Sequence, residues 1–506
     1  MNGEDLIALG FPQGPVIGSL LSACKQAERL GWAEPDIIHC VHRLKSYPEE
    51  FGDHDSVFGA AAKKFKAEIE RQQRIEEERK AATATPVPFK IWGDDHDDET
   101  KAQMIAACRL PIAVGGALMP DGHVGYGLPI GGVFAADNAV IPYGVGMDIA
   151  CRMMLTVLPG RFDPDRGPKH NPIDRNEDRY VKAIKKCTRF GVGSNFGRSG
   201  RRNHAVMDED WNIGQELPRH KDMAWEQLGS SGGGNHFCDI GEITFERQTT
   251  FEQLPGIPDV VVDPGTYVAI MTHSGSRGVG GKMCQFYSSL ARLEHQGLPK
   301  EQQNLAWLDL DSELGEEYWR IMELMGRYAS ANHHLIHEAI LKELSSPEMV
   351  QVENHHNFAW KEIWGGKTVV VHRKGATPAS YGTDGIIPGS MATPAFLVRG
   401  RGNKDSFNSC SHGAGRAMSR KQTKAKYEWS QVEDLLRRKR VKLISAGLDE
   451  VPGGYKKIEK VMAAQQDLVD VLARFEPRIV KMAGTREGQR EDRRRHKHRK
   501  GKEKRE

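Results

Sequence analysis

The sequence predicts a soluble protein of mixed helix and sheet, α/β or α+β, preceded by a small helical appendage. Three observations predict it. From Ala107 to about Lys481, short β-branched runs such as Val369-Val370-Val371 alternate with glycine-rich turns. Ahead of that region, apolar residues recur at helical spacing. Between the two lies a proline-marked stretch that fits neither pattern. At 506 residues the chain is long enough for two or three average domains, or one large one, and for a sizeable buried core.

In chain order, Ile17, Leu20, Leu21, Cys24 and Leu30 fall on one helical face, and a second helix runs from Val57 through Phe65 and Ile69 into the charged run Glu70 to Lys80. Residues 1–80 therefore read as a helical N-terminal extension. The segment Ala81 to Pro88 has linker composition, with prolines that cannot continue a helix. The main domain is expected over residues 89–484. Within it, one long helix is expected between Asp311 and Leu344, where Tyr318, Ile321, Met322, Met325 and Ala329 form an apolar stripe of the kind that usually faces a core. Residues 485–506 lack apolar side chains and read as a disordered basic tail, with Arg493 to Lys500 strongly cationic. Such a tail either contacts phosphates through counterion release or is merely solvated.

Composition narrows the class. Hydrophobic residues at 39% and charged residues at 27% are ordinary for a globular protein. No apolar run reaches the roughly 18 residues of a membrane span, and Met1 to Asp5 is polar rather than signal-like. The expected compartment is the cytoplasm, with no membrane partner. Eight cysteines without a CxxC pair read as reduced thiols, any of them a candidate metal ligand. The net charge of +3 is too small by itself to argue for nucleic acid.

In Tyr143 to Cys151, a carboxylate (Asp148) and a thiol (Cys151) follow a glycine-rich turn at a spacing that lets both reach one ion. Thiolate beside carboxylate suits a first-row divalent metal better than calcium or magnesium, which prefer oxygen. The bland alternative is a buried structural cysteine and a turn aspartate. Histidines in polar, glycine- or asparagine-marked contexts add weight: Gly234-Asn235-His236, Thr272-His273-Ser274-Gly275-Ser276-Arg277, and Asn354-His355-His356-Asn357. Asn332-His333-His334 lies in the expected long helix and reads as helix packing. Three loops combine glycines with further donors suited to phosphate, namely Ser274 to Gly278, His372 to Gly375 and Ser411 to Arg416, and none is a Walker or Rossmann loop. His412 is flanked by small residues, so its ring is approachable, and Arg416 stands near to balance phosphate charge. His412 is the candidate nucleophile.

These segments, in this order, resemble the RtcB RNA ligase family from about Pro111 to Gly484. The resemblance rests on Met119-Pro120-Asp121-Gly122-His123-Val124-Gly125, Gly146-Met147-Asp148-Ile149-Ala150-Cys151, Gly234-Asn235-His236-Phe237, His273-Ser274-Gly275-Ser276-Arg277, His356-Asn357, His372 to Thr377, Pro388-Gly389-Ser390-Met391 and His412-Gly413-Ala414-Gly415-Arg416. It implies an α+β fold of mixed sheets with surrounding helices. It also implies two manganese ions held by Asp148, Cys151, His236, His273 and His356, with Cys151 bridging, and GTP as co-substrate. The implied catalytic nucleophile is His412. Implied nucleotide contacts are Asn235, His236, Asp239, His356, Asn357, Pro388, Gly389, Ser390, Met391, Ala395, His412, Gly413, Ala414, Gly415 and, in the terminal Val480-Lys481 segment, Lys481.

The implied activity is joining of RNA 3′-phosphate or 2′,3′-cyclic phosphate ends to 5′-hydroxyl ends through a GMP-histidine intermediate. Its setting is tRNA splicing or RNA repair, with tRNA halves or damaged RNA as partners and room for an activating protein. Alternatives are guanylyl capping of 3′-phosphate ends on RNA or DNA without sealing, or a non-catalytic RNA-binding relative. Departures from the family pattern are Arg152 for a usual Gly, Asp239 for Glu, Pro378 for Arg, and Ala392 and Ala395 for Gly and Ser. They predict that guanylylation survives while RNA preference shifts. The N-terminal piece Leu9 to Gly18 resembles a helical element of tRNA nucleotidyltransferases, which implies an RNA-positioning role as the alternative to a plain appendage.

Overall fold

The computed structural model describes residues 1–52, 56–253, 255 and 257–484; the basic stretch Arg493 to Lys500 lies outside them. The chain divides into two compact units, Met1–Ala84 with His295–Pro299, and Thr85–Glu294 with the residues from Lys300 onward.

In the first unit, helices Gly3–Ala8, Pro15–Arg29, Glu34–Ser46 and Gly59–Ala82 enclose a core that includes Leu6, Phe11, Leu20, Cys24, Ile37, Val41, Leu44, Phe58 and Phe65. The first long helix ends at Arg29, and Gly31 turns the chain with φ +81°, so Leu30 leaves the expected apolar face and is exposed. The last helix continues two residues into the segment read as a linker.

The second unit is built on two sheets. The first orders Phe89–Ile91, Ala113–His123, Ile130–Ala136, Lys367–Lys374 and Asn357–Trp364. The second runs Val350–His355, Arg152–Val157, Gly265–Ser274, Phe237–Phe245, Val469–Met482, Ala395–Gly400 and Asp384–Ile387, antiparallel throughout, with Lys442–Ser445 added beside Val469–Met482. Ala117, Met119, Val133, Ala135, Val369 and Val371 of the first sheet pack in one cluster with Ile387, Phe396 and Val398 of the second. Mixed helix and sheet in this arrangement is the α+β class.

Alternation along the second sheet's strands separates its two faces. Met153, Leu155, Ala269 and Met271 enter one cluster. Ile240, Val268 and Ile270 enter another, under helices Glu177–Cys187 and Glu313–Leu344. The long helix is capped by the Ser312 side chain, which accepts from Gly315 N–H, and its expected stripe is fully buried. No helix among the described residues is long and apolar enough to cross a membrane.

Register decides what gathers where. Arg152 pairs with both Ser274 and His355, and His273 pairs with Met153 and Phe237. Cys151, His236, His273 and His356 therefore stand at the common end of four neighbouring strands. His356 sits where the chain leaves the second sheet, at His355, and enters the first, at Asn357.

Candidate active site

Asp148 is delivered by the short helix Pro142–Val145 and a turn at Gly146, φ +105°. Between Asp148 and Cys151 the backbone passes through a left-handed residue that is not glycine, Ala150 at φ +54°. Such a conformation costs of order 1–3 kcal/mol and persists only where neighbours over-determine it. Here Ala150 N–H donates to the Asn357 carbonyl (2.6 Å), Cys151 N–H to that of Asp148 (3.0 Å), and His356 N–H to that of Cys151 (3.0 Å).

The side chains converge. Cys151 Sγ lies 3.0 Å from His273 Nε2 and 3.4 Å from His236 Nε2. His273 Nε2 lies 3.3 Å from His356 Nε2, and His236 Nε2 lies 2.8 Å from an Asp148 oxygen. Two three-ligand sets result, Cys151/His273/His356 and Asp148/Cys151/His236, each with its ligand atoms within 4.8 Å of one another and with Cys151 common to both. His273 Nδ1 is 3.0 Å from the Asn235 carbonyl, which fixes the proton there and turns the Nε2 lone pair inward.

Burial pulls the His273 imidazole down to about 3 and His356 well below its usual value, so both rings are neutral donors. Burial pushes the Asp148 carboxyl up, but His236 and the Cys151 and Arg277 neighbours outweigh it and hold it at about 2. The Cys151 thiol is pushed far up by burial and by Asp148. A thiolate at that position therefore needs a cation beside it. Sulfur, imidazole and carboxylate together suit a divalent first-row metal.

His412 stands next to this cluster, its ring centroid 5.0 Å from that of His356. It follows strand Ser409–Ser411, and its environment is set by a residue to which the sequence assigned no role. Asp121, fully buried, accepts from His412 Nδ1 (2.6 Å), His412 N–H (3.1 Å) and Gly413 N–H (3.2 Å), all on one oxygen. With Nδ1–H so held, Nε2 carries the free lone pair. Gly415, φ +69°, lets the loop close over Asp121, because a Cβ there would lie 2.1 Å from the Asp121 carbonyl oxygen.

The cluster and His412 open on one cavity of about 1180 Å³, more than a single nucleotide needs. Asn235, Asp239, Asn357, Pro388, Gly389, Ser390 and Met391 line it, as do Ala395, Gly413, Ala414 and Gly415. The Asn357 amide is already engaged, donating to the Asp148 carbonyl (3.2 Å) and accepting from Gly375 N–H (2.8 Å). Asp239 is the reverse: burial holds its carboxyl well above the usual range, and one oxygen has no protein partner. Lys481 does not line the cavity, although its strand neighbours Val480 and Met482 do; its ammonium lies 5.5 Å from the Phe190 ring centroid. Alternation along Val469–Met482 accounts for the split.

Arg416 lines the cavity as well, its guanidinium held by Glu450 (3.2 Å), Thr423 Oγ1 (3.1 Å) and the carbonyls of Asp449 (2.8 Å) and Met418 (3.0 Å). A second cation in the lining is Lys374, which is buried and whose ammonium burial lowers to about 8.

A family profile described as "tRNA-splicing ligase RtcB" matches residues 103–483. The chain belongs to the RtcB family. Its relatives include the "RNA-splicing ligase RtcB" of Escherichia coli K12, 34% identical over 420 residues that cover 77% of this chain and 96% of that one. The "tRNA-splicing ligase RtcB" of Thermococcus kodakarensis is 28% identical over 470 residues, covering 77% and 94%. The "RNA-splicing ligase RtcB" of Mycobacterium tuberculosis is 28% identical over 441 residues, covering 74% and 98%. The RtcB match begins at residue 103, so the helical unit Met1–Ala84 lies outside it.

Proposed function

We propose that this RtcB protein is a manganese- and GTP-dependent RNA ligase that joins 3′-phosphate or 2′,3′-cyclic phosphate ends to 5′-hydroxyl ends, in tRNA splicing or RNA repair. The observation that carries the reading is the adjacency of two ligand sets sharing Cys151 to a histidine whose Nδ1 is fixed by buried Asp121. Bound manganese, two ions by family resemblance, would neutralise phosphate charge and polarise the phosphorus under attack. Eight unpaired cysteines fit a reducing cytoplasm.

His412 Nε2 attacks the α-phosphorus of GTP; an N–P bond forms, the bond to the β-phosphate oxygen breaks, and pyrophosphate leaves. Asp121 stabilises the charge the imidazole gains. An oxygen of the RNA 3′-phosphate then takes the guanylyl group, and His412 departs with its lone pair restored. Finally the 5′-hydroxyl, losing its proton, attacks the RNA phosphorus and displaces GMP. A cyclic phosphate end is first hydrolysed to the 3′-phosphate. Guanine is favoured over adenine because Asp239, buried with its carboxyl pKa raised and one oxygen unpartnered, offers two acceptors to a base edge once it ionises, and guanine presents N1–H and N2–H donors there.

The test is incubation with α-labelled GTP and manganese. Wild type becomes labelled and His412→Ala does not; label on both, or on neither, overturns the assignment. Adding an RNA 3′-phosphate strand and a 5′-hydroxyl strand then yields a joined product, whereas a guanylylated 3′ end that never joins means capping instead of sealing.

A further inference from the structure

At the mouth of the cavity stands an aromatic feature that the chemistry at His412 does not use. Tyr126 is 68% exposed and Tyr143 half-buried, their ring centroids 6.5 Å apart at 40°. Both line the cavity. Val124 and Met147, also exposed and also lining it, extend the same apolar lip. A single exposed tyrosine is ordinary; two rings with two apolar neighbours on the rim of a cavity larger than one nucleotide are not.

The backbone under Tyr126 is fixed. The Gln103 amide donates to the Gly125 carbonyl (2.7 Å) and accepts from Gly125 N–H (3.0 Å). Lys374 Nζ donates to the Tyr126 carbonyl. Gly127, φ +74°, packs so tightly that a Cβ would lie 2.7 Å from the Asn304 carbonyl oxygen. The fold thus holds this loop rigid and leaves its one large ring in water, which for folding alone has no benefit. Tyr143 carries a cation on its own ring, the Arg292 guanidinium at 5.9 Å. The loop also has a direction. It continues from strand Ala113–His123, which supplies Asp121 to His412, and Lys374 precedes Gly375, whose Cβ position is 3.2 Å from His412 Cε1.

We infer that Tyr126 and Tyr143 form a stacking platform for the unpaired terminal nucleobase of the RNA strand whose 3′-phosphate receives the guanylyl group. This rests on the ligase reading above and adds a base subsite to it. The two rings are themselves a tilted aromatic pair, 6.5 Å apart at 40°, so a flat base stacks on the open ring of Tyr126, 68% exposed, with Tyr143 beside it. Stacking accepts any base because each has a π-face, and it requires the end to be unpaired. The platform therefore selects frayed or single-stranded ends over blunt duplexes.

The experiment uses the full chain with manganese and no GTP, titrated with RNA oligonucleotides carrying 2-aminopurine either as the last nucleotide of a 3′-phosphate strand or as the first of a 5′-hydroxyl strand. The 3′-phosphate label is expected to be quenched on binding. Tyr126→Leu and Tyr143→Leu are expected to lose the quenching and weaken Kd about five- to hundredfold, and Tyr126→Phe to restore it; thermal melts of the same samples report whether each variant is folded. Quenching of the 5′-hydroxyl label alone overturns the proposal, as does undiminished quenching in the double Leu variant. Labelling of the wild-type preparation by GTP tests His412 separately: absent label removes the ligase reading, whereas normal label with unquenched 2-aminopurine removes only the platform.

Discussion

Asp121→Asn isolates the contribution of the buried carboxylate to His412. One Asp121 oxygen receives three N–H donors and the other has no partner. An asparagine that keeps its carbonyl oxygen toward His412 retains three acceptor contacts but loses the charge, and it buries an NH2 where nothing accepts it. The unsatisfied donor costs about 1–3 kcal/mol, and charge-assisted bonds exceed neutral ones by about 1 kcal/mol each. Stability is therefore expected to fall by about 4–6 kcal/mol. The rate effect is larger, because the carboxylate acts most strongly as the imidazole becomes cationic. Guanylylation under single turnover is expected to slow about 10²- to 10⁴-fold, with GTP binding retained, measured by rapid-quench transfer of labelled GMP to protein. A rate within fivefold of wild type refutes the role of Asp121. Burial raises its carboxyl but the His412 charge and hydrogen bond prevail, leaving it below the usual range. A carboxyl lowered in the fold stabilises above its unfolded pKa of about 3.9 and loses that contribution as pH falls through the folded value. The carboxylate's own contribution to the difference between wild type and Asp121→Asn is accordingly lost only below about pH 4.

Three further perturbations follow from the same geometry. Cys151→Ala removes the atom common to both ligand sets, so bound manganese measured by elemental analysis should fall by about half or more; unchanged content refutes the bridge. Gly275→Ala places a Cβ 2.2 Å from an Asp148 oxygen and should weaken metal affinity at least about tenfold while costing about 1–3 kcal/mol in stability; equal affinity by titration would show that Asp148 is not held by this loop. Lys374, its ammonium lowered by burial from 10.5 to about 8, is destabilising while charged, so wild-type stability should rise as pH climbs from about 8 toward 10.5. Lys374→Met should be the more stable protein at pH 7, by on the order of 3 kcal/mol, and the weaker binder of GTP; a melt that is lower at pH 7 refutes the burial argument.

How much of this was legible in the sequence depended on whether the deciding contact is local. The stripe Tyr318, Ile321, Met322, Met325 and Ala329 follows helical periodicity and is buried as that period requires. Helix Glu34–Ser46 was not anticipated, although Pro35 in its first turn and the spacing of Ile37, Val41 and Leu44 were visible signals. Ligand types were readable from turn chemistry, but their convergence depends on the register that sets Arg152 opposite both Ser274 and His355, which no local pattern encodes. Asp121 sits in a segment that carries the family resemblance, yet its partner is 291 residues away. Asn332, read as helix packing, does more than pack: its amide accepts from Gly229 N–H (2.7 Å) and donates to the Gly275 carbonyl (2.9 Å). It ties the loop that leads to His236 to the loop after His273, whose Ser276 N–H donates to Asp148 (3.0 Å). Its neighbour His333 bonds Thr272 Oγ1 at 2.7 Å, behind His273.

The departures from the RtcB pattern separate by where their side chains go. Arg152 is buried with its guanidinium on Glu353 (3.0 Å) and the Gly326 carbonyl (3.3 Å), on the far side of the strand end from the Cys151 thiol. Pro378 lies in the short ladder opposite Ser409 and does not line the cavity. A proline there removes an N–H at the end of a three-residue strand, where the ladder needs it least. Ala392 is buried in the cluster around Val432 and Val451. Only Asp239 and Ala395 meet the cavity, and of these only Asp239 carries a polar atom with no protein partner. The candidate metal ligands and the Asp121–His412 contact are thus untouched by the substitutions, and the one polar change in the cavity lining is a carboxylate one methylene shorter than the usual Glu. Because that carboxylate is buried and its pKa raised, a neutral ligand edge with two N–H donors is what would draw it back to its charged form, so the nucleotide reading proposed above carries with it a linkage between base binding and ionisation of Asp239.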